Sequence, residues 1–461
     1  MLPAGGGIMF DKEFLFGASI SGFQFEMGGK IIDPNTDWFK WVHDKYIQES
    51  GIVSGHLPED GPNYWEHYPE VHDLAVKGNF NALRIGIEWS RIFPRETFEA
   101  KTLEDMEKLA DKQAISHYRG ILEDIKSKGM KLMLNLNHFT LPLWLHDPIK
   151  VNRYGDFSQS GWLDDRSPVE FAKFAAFIVR EFDSLVDYWS TMNEPNVVAN
   201  LGYFQRESGF PPSIIRPELW RKALENEIKA HNLAYKEMKK FTSKPVGIIY
   251  ASNWVDGDES REDAMNLLSW YFMDSIRENM DFVGINYYSR IRVVKRNEIL
   301  EGEGFKITWK TLPGYGFACM PNGTSRSGLP VSDTGWEVYP KGLYEITKAV
   351  CERYGKPVYI TENGIADGKD SLRPYYLISH LWSIEKLLEE GYDVRGYFHW
   401  SLIDNYEWAK GFTMRFGLVH VNYAEKSFTP RPSFLLYSEI IKERTTEKYK
   451  EFIKYPHALV E

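Results

Sequence analysis

Residues 186–195 read VDYWSTMNEP and residues 357–364 read PVYITENG. Both stretches are short, rich in β-branched and aromatic residues, and end in polar ones, the pattern of a buried strand running into a loop. Six further runs share it: FLFGASI (14–20), ALRIGIEWS (82–90), KLMLNLNHF (131–139), PVGIIYASN (245–253), DFVGINYYS (281–289) and VRGYFHWSL (394–402). Segments of helical spacing lie between them, among them 104–129, 168–182, 219–241 and 373–391. Eight such alternations predict an α/β fold, a single (β/α)8 TIM barrel around a parallel sheet. No Pro-, Gly- or Ser-rich linker breaks the chain, so 1–461 reads as one domain, with 1–8 ahead of Met9 as an extension. The stretch 302–335 reads as a long βα loop with a small hairpin, and 33–66 as a second loop region. Long loops at the C-terminal ends of barrel strands build the active-site pocket.

Composition narrows the partners. With 55 Lys plus Arg against 65 Asp plus Glu, the net charge is −10, which argues against binding nucleic acid or an anionic membrane surface. The two cysteines are too few for a disulfide framework, and neither a signal peptide nor an apolar run of membrane-spanning length is seen, so a cytoplasmic location is expected. Aromatic residues make up 15% of the chain, a supply of flat faces that suits stacking on sugars as well as core packing.

In a barrel of this kind the chemistry sits where strands end, and two runs end in a carboxylate, Glu194 and Glu362. Either alone reads as a loop acid. Two carboxylates from different strands converging on one aromatic-lined bowl are what cleavage of a glycosidic bond requires, one protonating the leaving oxygen and the other meeting the cationic sugar carbon.

The flanking sequence adds a resemblance. TMNEP (191–195) and YITENG (359–364), with SGFQFEMG (21–28), RIGIEWSRIFP (84–94), INYYS (285–289), GWEVYPKGL (335–343) and FHWSLIDNYEWAKGF (398–412), resemble the motifs of glycoside hydrolase family 1, the β-glucosidase and β-galactosidase family. DPNTDWFKWVHDK (33–45) and MRFGLV (414–419) are similar to its archaeal, heat-stable branch. The resemblance implies a retaining exo-β-glycosidase for terminal β-D-glucosyl or β-D-galactosyl residues, with no cofactor and no metal. It assigns Glu194 as acid/base and Glu362 as nucleophile. Arg84 and Tyr288 are expected to support the charge of Glu362, while burial and the charge of Glu362 keep Glu194 protonated. Retention predicts carboxylates about 5 Å apart.

By the same resemblance Gln24, His138 and Asn193 bind sugar hydroxyls, Trp400 stacks beneath the ring, and Glu407 with Trp408 closes the site. Asn286 and Trp336, within matched motifs, and Phe139 are also expected to bind substrate. Phe139 departs from the family, which usually has Trp there, so the preferred glycone stays open among glucose, galactose, mannose and fucose. A transglycosidase would share every residue named. Glu407 disfavours a 6-phosphate, although Lys410 is near in sequence, and retention of both carboxylates disfavours a sugar-binding pseudoenzyme. The rival HYPEVH (67–72) lacks the spacing of a metal motif, and neither a Walker loop nor a GxSxG elbow stands out. Small β-glycosides are the expected partners, and similarity to the archaeal branch, often tetrameric, implies a homo-oligomer.

Overall fold

The computed structural model describes residues 9–302 and 304–460; the extension 1–8 lies outside them. All eight runs form barrel strands: β1 Leu15–Ser19, β2 Ala82–Gly86, β3 Lys131–Asn137, β4 Tyr188–Asn193, β5 Val246–Ala251, β6 Val283–Asn286, β7 Val358–Glu362 and β8 Val394–His399. Every neighbouring pair is parallel and β1 pairs with both β2 and β8, so the barrel closes. Strands buried on both faces explain why the runs are apolar almost throughout.

Helices cover the outside. In α1, Lys112–Ser127, Asp111 accepts from the Ala114 N–H, and Ile115, Leu122 and Ile125 fall on one buried stripe. The single helical segment expected over 104–129 is two helices, because Asp111 starts α1 where a preceding helix, Leu103–Leu109, has ended at an extended Ala110. Helices α2, Ser167–Phe182, α3, Pro195–Tyr203, and α4, Pro217–Lys239, follow β3 and β4. No helix of the described residues is long and apolar enough to cross a membrane.

Inside the barrel, Leu15, Ala82, Met133, Tyr188, Ile249, Phe282, Tyr359 and Phe398 pack into one cluster, drawn from the eight strands or their entries. This apolar plug fills the N-terminal end. Two residues further along β2, β4 and β7 the side chains become polar, at Arg84, Ser190 and Thr361, so the floor of the site rests on the plug.

The long loop differs from expectation. Its hairpin begins before residue 302: Arg290–Gly302 pairs antiparallel with Phe305–Thr311, and Trp254–Gly257 adds a third, parallel strand. The alternating run RIRVV explains the early start. Arg290 ties this sheet down, donating to Glu337 Oε1 at 2.7 Å and to Asp256 Oδ2 at 2.8 Å. The 33–66 region forms two short helices, Asp37–His43 and Lys45–Ser50, whose Trp38 packs against Trp408 and Phe210.

Candidate active site

Glu194 and Glu362 both line one cavity of about 760 Å³ at the C-terminal mouth of the barrel. Glu362 is the last residue of β7. Glu194 follows β4 in left-handed backbone (φ 49°, ψ 56°), and Pro195 starts α3 at once. That sharp turn puts the carboxyl in the bowl rather than in the sheet.

The two carboxylates have opposite surroundings. Glu362 Oε2 accepts from Arg84 Nη1 at 2.5 Å, and Oε1 accepts from the Tyr288 hydroxyl at 2.5 Å. Among the described residues, Glu194 receives a single donor and a neutral one, the Asn286 Nδ2 at 2.8 Å. Burial, and then the charge of Glu362, push the Glu194 pKa up to about 8. A carboxyl raised that far is mostly protonated at neutral pH.

Arg84 also donates through Nη2 to Asn193 Oδ1 at 2.6 Å. The Asn193 Nδ2 then lies 3.3 Å from His138 Nε2. Since Nδ2 can only donate, His138 Nε2 accepts and the ring is neutral. Burial and the Arg84 charge, which lower the His138 pKa well below 6.5, act the same way.

The rings of Trp400 and Trp408 both lie nearly parallel to His138, at centroid distances of 5.8 and 5.9 Å. Glu407 lines the cavity beside them, and burial, opposed by Lys410, raises its pKa to about 7. The loop that carries Glu407 is held by Asp404, which accepts from Arg431 at 2.8 Å and Arg415 at 2.7 Å. Trp336 packs on Tyr288 at 5.5 Å, with the Lys410 ammonium 5.6 Å from its ring.

Gln24, His138, Phe139, Asn286, Trp336, Trp400, Glu407 and Trp408 thus all line the cavity with the two carboxylates, and Arg84, Asn193 and Tyr288 contact them directly or through one partner. Gln24 lies beyond the end of β1, in a turn, and its Nε2 donates to the Tyr406 carbonyl at 2.9 Å, so part of its hydrogen-bonding capacity braces the Glu407 loop. Phe139 adopts left-handed backbone (φ 74°) and packs on Trp408 at 4.9 Å. His67 and His72 of the rejected metal motif are spoken for, His67 by Glu70 and His72 by Asp124.

Sequence reasoning missed the outer half of the cavity. Leu201 of α3, Phe204 just past its end, Trp220 of α4, Leu268, and Ile291 and Ile307 of the hairpin form an apolar wall. Its one advance signal was the alternation in RIRVV and FKITW, with every second residue apolar.

Residues 7–273 and 271–446 match glycosyl hydrolase family 1. The chain belongs to this family. It is 47% identical over 472 residues to a β-galactosidase of Saccharolobus solfataricus, covering 94% of each chain. Among solved structures it is similar to Fpglu1 from Fervidobacterium pennivoraus (50% identity, TM-score 0.96, 97% of this chain and 99% of that one). The β-glycosidase from the hyperthermophile Thermosphaera aggregans gives 42% identity and a TM-score of 0.93, with 98% and 100% covered. This family 1 protein is therefore a glycoside hydrolase of the β-glucosidase and β-galactosidase type.

Proposed function

We propose that the protein is a retaining exo-β-glycosidase that releases terminal β-glucosyl or β-galactosyl residues by double displacement. The observation that carries this reading is the unequal pair: Glu362 held by a guanidinium and a phenol, Glu194 held by one amide and protonated at neutral pH. In the first step a Glu362 oxygen bonds to the anomeric carbon, the glycosidic C–O bond breaks, and the Glu194 proton goes to the leaving oxygen. With Glu362 esterified its charge is gone, and Glu194, now a carboxylate, takes a proton from the water that attacks the same carbon and frees Glu362.

The glycone lies on the inner floor, where Gln24, His138, Asn193 and Glu407 offer donors and acceptors and Trp400 offers a flat face. The apolar plug below leaves no exit at that end, which supports exo action. The aglycone lies along the outer apolar wall. Phe139 has no indole N–H with which to bond a sugar hydroxyl, which favours tolerance between glucose and its epimers.

Proton NMR of the first sugar anomer released from aryl β-glucoside, β-galactoside and β-mannoside tests the reading. Prompt β-anomer is expected, with glucoside and galactoside leading. Release of the α-anomer first would overturn the double displacement, and release from none of the three would overturn the glycosidase reading for these sugars.

A further inference from the structure

We propose that Thr361 is a positioning residue that dictates which oxygen of Glu194 carries the acid proton; this rests on Glu194 being the acid. Hydrogen-bond polarity is fixed step by step through the floor of the site. Arg84 has only donors, so the atom of Asn193 that meets its Nη2 at 2.6 Å is the carbonyl oxygen. That oxygen also faces the Asn286 side chain at 2.9 Å, which therefore presents its Nδ2. The same Nδ2 donates to Glu194 Oε2 at 2.8 Å. Asn286 Oδ1 then points the other way, to Thr361 Oγ1 at 2.7 Å, where the hydroxyl donates.

Arg84, Asn193, Asn286 and Thr361 are all buried, at most 3% exposed, so no bulk water substitutes for a missing partner. Toward Asn286, Glu194 Oε2 is the acceptor, a role that suits the carbonyl oxygen of a protonated carboxyl better than its hydroxyl oxygen. The acid proton is left to Oε1, which has no hydrogen-bond partner among the described residues and is free to meet a leaving oxygen.

The reverse amide orientation shows what Thr361 prevents from one side and Asn193 from the other. Turning Asn286 over would bring two carbonyl oxygens, those of Asn193 and Asn286, to 2.9 Å with no proton between them. It would also set an acceptor against Glu194 Oε2 and draw the acid proton onto that inner oxygen. Once Thr361 has no hydroxyl, Asn286 Oδ1 is a buried acceptor without a donor, and the amide is freed to rotate or turn. The fold makes room for the contact at Gly284 on β6. A Cβ there would lie 2.8 Å from Thr361 Cγ2 and 2.9 Å from its Oγ1, so the missing side chain admits the threonine.

The test compares Thr361→Val, which keeps the shape, with Thr361→Ser, which keeps the hydroxyl, on alkyl and on dinitrophenyl β-glucosides. Full acid catalysis is worth about 10²–10⁴-fold, and Thr361→Val is expected to lose at least about tenfold in kcat/KM on the alkyl glycoside and much less on the dinitrophenyl one, whose departure needs no proton. Thr361→Ser restores the alkyl rate. The alkaline limb of the kcat/KM profile moves to higher pH in Thr361→Val, because the Asn286 N–H that lowers the Glu194 pKa is lost. Equal losses on both substrates, an unmoved limb, or failure of Thr361→Ser to rescue would overturn the assignment. Should Thr361→Val not accumulate as folded protein, Thr361→Ala carries the same comparison. Glu194→Ala run alongside separates the two levels: if it also fails to distinguish the substrates, the acid/base reading is at fault rather than the relay.

Discussion

The inner and outer ends of the same cavity are built on different rules. At the inner end Arg84, Asn193, Asn286 and Thr361 form an unbroken chain of hydrogen bonds, each leaving one orientation open to the next. At the outer end Leu201, Phe204, Leu268, Ile291 and Ile307 offer surface without direction. Hydrogen bonding in a buried site discriminates steeply, since a wrong partner leaves polar atoms unpaired, whereas an apolar wall discriminates only by the area it covers. On the proposed function, the inner end fixes the orientation of the sugar and of the acid proton, with Phe139 as an undirected contact there, while the outer end accepts varied leaving groups.

The sharpest break in this comparison is at the inner end. Glu362→Ala is expected to lower kcat on the order of 10⁴-fold or more, with partial recovery by azide or formate to an inverted product, measured by product NMR. Near-normal turnover in this variant would remove the nucleophile from the inner end altogether. Next in size, Glu194→Ala should cost about 10²–10⁴-fold on glycosides with poor leaving groups and far less on activated aryl glycosides. In the unaltered protein the same group is expected to set the alkaline limb, with kcat/KM falling as pH rises through about 8, measured as a pH–rate profile.

The outer end predicts a gentler gradient. In a series of n-alkyl β-glucosides, kcat/KM should rise by up to about fourfold per added methylene until the apolar wall is covered. Ile307→Asp should flatten that slope, and a slope already flat in the unaltered protein would place the aglycone elsewhere.

The barrel and both carboxylates were legible in the sequence because each strand is buried on two faces and ends abruptly in polar residues, as STMNEP and ITENG do. The helix break at 110–111 was written in Asp111, an N-cap residue inside an otherwise periodic stretch. The hairpin boundary was harder, since RIRVV follows INYYS with no turn residue to separate barrel strand from excursion. The outer wall was hidden for another reason. Trp220, Leu268 and Ile307 come from three distant segments, and an apolar residue on a helix or strand carries no mark that tells a cavity wall from a core. Thr361 and Asn286 stood in recognised motifs, yet their contact depends on the spacing between β6 and β7 and on the empty space at Gly284, which only three dimensions display.

The left-handed backbone of Glu194 has a consequence for folding. A non-glycine residue at φ 49° carries strain of about 1–3 kcal/mol. The same residue is a carboxyl whose pKa rises from 4.5 to about 8 in the native protein. As pH climbs across that window the unfolded chain releases a proton that the native chain keeps, so the contribution of Glu194 to stability declines and is smallest above about 8. Glu194→Gln keeps the shape and removes the titration. It should melt at a higher temperature than the unaltered protein, by a margin that widens between acid and alkaline pH, while losing activity on poor leaving groups. Stability in this chain is therefore held by the barrel around the active site and in spite of it.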